Sequence, residues 1–249
     1  MNIRNIGVMS PGDMGQAVAY QLKQGGFAVH TALDGRSARS KTLAAEAGLI
    51  DVGSIDKLVA TCDVVLSIMN PAAALEFAQT AARAIAAGHG KPLFVDCNAI
   101  SPATLQAIEA AITGAGGRCL DGTIIGSPPR DKARCNLYFS GPGADALAVF
   151  AGPQLDVRIL GAKNGEASAL KMCYGAMNKG ITALMLETLM AARRLGVEPR
   201  LRVISLESVT LPARRPKYCA LANGKLCAAI GYAVPTWQDA VGRYLAIAD

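Results

Sequence analysis

The first structural unit of this 249-residue chain is the stretch Ile6-Gly7-Val8-Met9-Ser10-Pro11-Gly12-Asp13-Met14-Gly15. An apolar run, typical of a strand, leads through a glycine turn into a helical pattern. Gly12 and Gly15 hold the second and third glycine positions of the pattern G-x-G-x-x-G, and Ser10 replaces the first. Glycine at these positions lets a backbone approach a pyrophosphate, and the helix N-terminus offers free N–H groups to the phosphates. The stretch predicts a dinucleotide-binding turn, with a plain tight turn as the alternative. The residues expected to contact the dinucleotide are Ser10, Pro11, Gly12, Asp13, Met14 and Gly15.

Strand-like and helix-like segments alternate along residues 3–160, a pattern typical of a mainly parallel sheet with helices on both faces. Val64–Met69 is a continuous apolar run, as expected for a strand buried on both faces. The predicted fold is therefore α/β, with an N-terminal doubly wound (Rossmann) sheet. The predicted strands are Ile3–Met9, Phe27–Leu33, Val64–Met69, Leu93–Asp96, Cys119–Ile125, Asn136–Ser140 and Val157–Leu160. The predicted helices are Asp13–Gln24, Arg39–Ala47, Ser54–Ala60, one from Pro71 to about Ala87, and one opened by Ser101-Pro102.

The pattern changes after Gly161, because residues 165–195 carry neither a strand signal nor a proline. A continuous helix of this length would be about 46 Å long, which predicts a spine between domains or subunits. We expect a dinucleotide-binding domain at 1–161 and a smaller all-helical substrate and dimerisation domain at 162–249. The tail after about residue 200 lacks helical periodicity, which suggests a truncated or altered segment. One side of the long helix predicts a homodimer interface. That side carries Ile181, Leu184, Met185, Thr188 and Leu189.

Composition excludes several classes of protein. Hydrophobic residues make up 51% of the chain, too many for a disordered protein. The seven cysteines are odd in number and never spaced as C-x-x-C, which predicts reduced thiols and a cytoplasmic location. Two histidines without a Cys/His cluster argue against a metal site. We also expect no signal peptide and no membrane span, since no apolar run approaches about 18 residues.

Most of the net charge of +6 lies between Arg193 and Lys217. A basic segment can bind nucleic acid, but this one lacks interleaved aromatic residues and any nucleic-acid fold signature. We therefore interpret the basic segment as a solvated or interfacial surface. We expect no nucleic-acid partner and a small-molecule substrate, anionic if the basic segment attracts it.

The end of the second predicted strand bears on the choice of cofactor. Asp34 lies where an acidic residue would bind the ribose of NAD, 19 residues after Gly15. Arg36 and Ser37 follow at once, and a guanidinium can bind a ribose 2′-phosphate. The pattern favours NADP, with NAD as the alternative. Ser37 could also cap the N-terminus of the next helix, which is compatible with either cofactor. Asn70 and Asn98 follow two further strands and are expected at the cofactor rim, helix capping being the other interpretation.

Together these motifs resemble the 6-phosphogluconate dehydrogenase/β-hydroxyacid dehydrogenase superfamily, in particular a poorly characterised bacterial branch with a distinct C-terminal domain. The resemblance covers roughly residues 3–195 and rests on five segments. It implies a Rossmann domain followed by a helical domain, an NADP(H)- or NAD(H)-dependent oxidoreductase activity and a homodimer. The five segments are Ser10–Gly15, Gly35-Arg36-Ser37, Asp96–Pro102, Asp121–Ser127 and Gly161–Gly175.

The resemblance also implies the roles of the site residues. Lys171 falls on the lysine of the catalytic motif and becomes the expected general acid/base. Gly122, Thr123 and Gly126 fall in the substrate motif and become the expected substrate-binding residues. Two positions depart from the family pattern: Ile125 replaces a serine and Gly175 replaces an asparagine. Asn178 is the expected catalytic substitute for that asparagine, with Tyr174 as the other candidate.

The resemblance implies hydride transfer between NADP(H) and a small hydroxyacid or carbonyl substrate. Reduction of an imine is a close variant, although lysine at the acid/base position favours a hydroxyl substrate. The two departures and the unusual tail support an alternative from another class, a cofactor-binding protein without turnover.

Overall fold

The computed structural model of the chain describes residues 2–130 and 132–196. Its core is an eight-stranded sheet in the order β3-β2-β1-β4-β5-β6-β7-β8. The strands are β1 Asn5–Met9, β2 Ala28–Thr31, β3 Ile50–Asp51, β4 Val64–Ser67, β5 Leu93–Asp96, β6 Arg118–Gly126, β7 Cys135–Ser140 and β8 Leu155–Gly161. The helices are α1 Asp13–Gln24, α2 Ala38–Glu46, α3 Ile55–Thr61, α4 Ala74–Ala86, α5 Pro102–Gly114 and α6 Glu166–Arg194. Short 3₁₀ segments occupy Pro71–Ala73 and Ala144–Phe150.

The strand order places a topological switch point at β1. This strand pairs in parallel with β2 on one side and with β4 on the other. Strands β1 to β6 are parallel, whereas β7 runs antiparallel to β6 and β8 runs parallel to β7. The predicted α/β fold is confirmed, with the refinement that the sheet is mixed at one end. Ligands of such sheets bind beyond the carboxyl ends of the strands at the switch point.

Helices cover both faces of the sheet because neighbouring strand residues point to opposite sides. On one face, Val8 and Leu66 pack in a cluster that contains Leu22 of α1. On the other face, Met9 and Val65 join a cluster that contains Ile85 of α4. All four residues of β4 are buried, as its apolar run predicts.

Serine caps begin three of the helices. Ser37 Oγ accepts a hydrogen bond from Ser40 N at 3.3 Å, and Ser54 Oγ accepts one from Lys57 N at 3.3 Å. Ser101 Oγ accepts from Thr104 N at 3.1 Å, with Pro102 as the first helical residue. Each bond satisfies an N–H group that the helix itself leaves unpaired. The predicted caps are confirmed.

Helix α6 contains 29 residues and is therefore about 43 Å long. The contacts of the chain divide it into units Met1–Thr188 and Leu189–Asp249. The predicted domain boundary between residues 161 and 162 stays a prediction. The tail after about residue 200, most of the basic segment and two of the cysteines, Cys219 and Cys227, lie outside the described residues. In the described part of the chain, no helix is long and apolar enough to cross a membrane, and no group of His, Cys, Asp and Glu residues could hold a metal ion.

Candidate active site

The turn between β1 and α1 forms the floor of a cleft. A Cβ atom on Gly15 would collide with the carbonyl oxygen of Ser10, so the helix can lie this close to the strand only with glycine there. A Cβ atom on Gly12 would meet no other atom within 4 Å, so the space in front of Gly12 is open. Gly12 caps α1 without a side chain, which leaves the first N–H groups of the helix free of a side-chain cap. These features fit a pyrophosphate.

The cleft has a volume of about 210 Å³ and brings most of the predicted cofactor residues together. Pro11 is buried and does not line it, and the Asp13 carboxylate is ion-paired with Arg39 and Arg130. The lining residues are Ser10, Gly12, Asp13, Met14, Gly15, Ile68, Met69 and Asn70.

The two predicted rim asparagines serve different purposes. Asn70 is exposed, and its Oδ1 accepts a hydrogen bond from Ala72 N at 3.1 Å. Asn98 is buried and donates to Ser67 Oγ and to Asp96 Oδ2, both at 2.8 Å. Its Oδ1 accepts from Met69 N at 2.6 Å. The side chain of Asn98 therefore holds the Met69–Asn70 rim in place, and its direct contact with a cofactor stays a prediction.

The loop that follows β2 contains an arginine with an unsatisfied hydrogen-bond donor. Arg36 Nε is buried and has no hydrogen-bond partner. Leaving such a donor without an acceptor costs free energy, so an anion in front of this guanidinium would be stabilised. Ser37 is exposed but its hydroxyl already caps α2. Asp34 is exposed as well, and its backbone N–H donates to Gly53 O at 3.1 Å.

Lys171 lies half-buried on α6 and points at β6. Its Nζ donates a hydrogen bond to the carbonyl oxygen of Ile124 at 2.7 Å. Burial lowers the pKa of the Lys171 ammonium group below the usual value for lysine. Asp96 is the last residue of β5 and pairs with Asp121, so Ile124 lies past the carboxyl end of β5. The amine is thus placed at the edge of the sheet where ligands of this fold bind.

Asp121 anchors the start of α6, a role that sequence reasoning missed. Its carboxylate is fully buried and accepts hydrogen bonds from Ser140 Oγ at 3.1 Å and Gly165 N at 3.0 Å. It also accepts from Ser168 N at 2.9 Å and from Ser168 Oγ at 2.6 Å. An anion at a helix N-terminus is favourable because it satisfies free N–H groups and complements the helix dipole. Asp121 therefore fixes the helix that carries Lys171 to the strand that contacts its amine. An acidic residue in an apolar strand was the available signal, since buried carboxylates are seldom left unpaired.

The predicted substrate residues differ in accessibility. A Cβ on Gly122 would lie 3.0 Å from atoms of Asp96, Cys97 and Phe139, so any side chain there would crowd its neighbours. Thr123 is fully buried, and its Oγ1 has no hydrogen-bond partner. Gly126 is exposed at the end of β6. Their contacts with substrate stay predictions.

Asn178 lies apart from the Lys171 amine. It is seven residues further along α6, a rise of about 10 Å. Its side chain is exposed and donates to Tyr174 O at 3.1 Å. The structure does not bring this amide to Lys171 Nζ, and the catalytic role of Asn178 stays a prediction.

Residues 5–147 match the NAD binding domain of 6-phosphogluconate dehydrogenase. The chain belongs to this family. An L-threonate dehydrogenase from Cupriavidus necator is 31% identical over 79% of the chain and 67% of its own length. An uncharacterised 28.5 kDa protein from Methanothermus fervidus is 31% identical over 68% of the chain and 63% of its own length. The chain thus spans about two thirds of the length of both curated relatives.

Solved structures agree with this family assignment. A conserved protein of unknown function, with structural similarity to 3-hydroxyacid dehydrogenases, is 34% identical with a TM-score of 0.65. That similarity covers 79% of this chain and 72% of the other. A variant of an imine reductase from Myxococcus stipitatus, in complex with NAD⁺, shares the fold at 24% identity and a TM-score of 0.62, over 79% of this chain and 68% of the other. The 6-phosphogluconate dehydrogenase family member described here therefore has an NAD(P)-binding, hydroxyacid-dehydrogenase-like fold.

Proposed function

We propose that the protein is an NADP(H)-dependent dehydrogenase of a small hydroxyacid or carbonyl substrate, with Lys171 as general acid/base. The observation that carries the proposal is the hydrogen bond from Lys171 Nζ to Ile124 O at 2.7 Å. It holds a half-buried amine at the carboxyl edge of a dinucleotide-binding sheet. The relative from Cupriavidus necator is an L-threonate dehydrogenase, which supports a hydroxyacid as the substrate class.

Three parts of the chain would hold the cofactor. The pyrophosphate fits the open space at Gly12 and the first N–H groups of α1. The guanidinium of Arg36, whose Nε has no hydrogen-bond partner, would bind the 2′-phosphate of NADP. When bound, the nicotinamide ring supplies the hydride donor or acceptor.

Lys171 would move the proton that accompanies the hydride. A neutral amine can take the proton of a substrate hydroxyl, and the ammonium form can return it to a carbonyl oxygen. Because burial lowers the pKa of this group, the neutral form is populated at a lower pH than for an exposed lysine. The Ile124 carbonyl accepts one amine hydrogen and so orients the others.

Groups near Ile124 would bind the substrate. The fully buried Thr123 Oγ1 lacks a partner, and Gly126 offers exposed backbone at the end of the same strand. The exposed Gly126 backbone can reach an oxygen of a small polar substrate, whereas Thr123 Oγ1 is closed to solvent. Position 125 is isoleucine where the family pattern has serine. Fewer side chains are therefore available to bind the substrate carboxylate than the family pattern implies.

Turnover with a panel of small hydroxyacids and NADP⁺ tests the proposal. We expect NADPH to form with at least one hydroxyacid, and Lys171→Ala to abolish most of that rate. Cyclic imines with NADPH form a second arm, because consumption of NADPH by imines alone would assign the chain to imine reduction. Tight NADPH binding without turnover on either panel would instead support a cofactor-binding protein.

Replacing Arg36 should remove the preference for NADPH. A charge-assisted hydrogen bond is worth about 1.5–3 kcal/mol, so Arg36→Ala should weaken NADPH binding by about 10- to 100-fold. NADH affinity should change little because NADH lacks the 2′-phosphate. Dissociation constants for both cofactors check this, with Lys41→Ala as a control for lost charge on an exposed residue of α2. A wild type that prefers NADH, with Arg36→Ala neutral, would transfer the ribose contact to Asp34, and equal losses for both cofactors would show that Arg36 does not act on the 2′-phosphate.

The exposed apolar side of α6 predicts a homodimer. Ile181, Leu184 and Met185 are 54%, 69% and 51% exposed. Soluble monomers seldom expose such a continuous apolar patch, and a twofold axis would cover it with its own copy. Light scattering after size exclusion should give twice the chain mass, and Leu184→Glu should shift the protein toward monomer. A wild-type monomer at micromolar concentration would contradict this expectation.

A further inference from the structure

The loop between β6 and β7 brings an arginine to the dinucleotide turn. Its described residues are 127–130 and 132–134. Pro129 is buried, and its carbonyl accepts a hydrogen bond from Gln21 Nε2 of α1 at 3.1 Å. The next residue, Arg130, is thereby held beside the first turn of α1, although 117 positions separate it from Asp13 in the sequence.

The Arg130 guanidinium lies on acceptors from that first turn. Its Nη2 lies 3.3 Å from Asp13 Oδ1 and 3.2 Å from the Asp13 carbonyl oxygen. In the amide orientation that satisfies both side chains, Gln16 accepts from Arg130 Nε at 3.0 Å. Arg39 of α2 contacts the other carboxylate oxygen of Asp13 at 3.3 Å. One carboxylate thus holds two arginines from different elements.

The position of this carboxylate needs an explanation because Asp13 lines the cleft that fits the pyrophosphate. A bare carboxylate there would repel phosphates. Two guanidinium groups beside it reverse the local charge, and a guanidinium fork is a preferred partner for phosphate.

We infer that Arg130 is a ligand for the pyrophosphate of the dinucleotide, and that Asp13 holds it at the cleft before the dinucleotide binds. The inference rests on the proposed function, since it requires a dinucleotide at this turn. It assigns one residue of the β6–β7 loop, Arg130, to cofactor binding in addition to the substrate motif that precedes the loop.

Two fragments of the cofactor separate a pyrophosphate contact from a 2′-phosphate contact. ADP-ribose carries the pyrophosphate without the 2′-phosphate. Adenosine 2′-monophosphate carries the 2′-phosphate without the pyrophosphate. In the full chain, Arg130→Ala should weaken ADP-ribose binding by about tenfold or more, the size expected for a lost charge-assisted hydrogen bond. Binding of adenosine 2′-monophosphate should stay within about twofold of wild type. Lys132→Ala removes the same charge from an exposed residue of the same loop and serves as the control.

The variant Asp13→Asn distinguishes a ligand from a residue that only neutralises Asp13. A direct contact predicts that Arg130→Ala still weakens ADP-ribose binding in the Asp13→Asn background, because the backbone carbonyl of residue 13 and Gln16 still hold the guanidinium there. Loss of the effect in that background, or an effect no larger than that of Lys132→Ala, would overturn the inference. Both outcomes are distinct from a wild type that binds neither NADPH nor ADP-ribose, which would overturn the proposed function and this inference with it.

Discussion

Lys171→Ala should lower turnover by at least about 100-fold, the lower end of what a positioned acid/base group contributes. The reason is that Lys171 is the described side chain that donates to Ile124 O, past the carboxyl end of β5. Its amine can exchange a proton with a substrate hydroxyl there. The NADPH dissociation constant and the melting temperature should stay near those of wild type, because the hydrogen bond of Lys171 Nζ is to Ile124 O and not to the phosphate turn or to Asn98. Steady-state rates, cofactor titration and thermal unfolding of the same preparation measure all three.

Lys179→Ala is the matched control for this variant. Lys179 is an exposed lysine two turns further along α6, and its replacement should leave turnover unchanged. A Lys171→Ala protein that retains more than about a tenth of the wild-type rate would remove the acid/base role from this residue. Attention would then move to Tyr174 and Asn178.

Asp121→Ala should destabilise the protein by about 3 kcal/mol or more. The substitution removes a buried carboxylate that accepts four hydrogen bonds, and it leaves N–H groups of Gly165 and Ser168 without their acceptor. Urea unfolding measures the change in free energy. We also expect lower turnover at temperatures where the protein remains folded, because Asp121 fixes the start of the helix that carries Lys171.

Asp145→Ala is the control for lost acidic charge, since Asp145 is exposed and should change stability by no more than about 0.5 kcal/mol. Asp121→Asn keeps the shape of the side chain and should cost less than alanine, because its oxygen can still accept from one of the helix donors. An Asp121→Ala protein as stable as wild type would show that solvent replaces the carboxylate at the start of α6.

Local chemistry made the N-terminal fold predictable. The glycine turn before α1, the apolar run of β4 and the caps at Ser54 and Ser101 each act within a few residues, and each is present in the structure. The short strand β3 was not predicted because its two residues, Ile50 and Asp51, are exposed and carry no apolar alternation. The 3₁₀ segment Ala144–Phe150 was missed as well, since such short segments lack a distinct periodicity.

The contacts that complete the site join residues far apart in the chain. Asp121 meets Gly165 across 44 positions and Arg130 meets Asp13 across 117, and no periodicity in the sequence marks either pair. The family motif alone predicts a role for Lys171, since an isolated lysine on a helix is ordinarily a solvated one. The structure adds what the motif lacked, which is the acceptor Ile124 O and the burial that lowers the pKa of the amine.

The pH dependence of kcat in both reaction directions tests the proposed role of Lys171 most directly. Hydroxyacid oxidation needs the neutral amine, so its kcat should rise with pH and level off above the pKa of Lys171. Carbonyl reduction needs the ammonium form, so its kcat should fall through the same pKa. Because burial lowers this pKa, both transitions should lie below the usual range for lysine and should be absent in Lys171→Ala. Identical pH profiles for the wild type and Lys171→Ala would contradict the account.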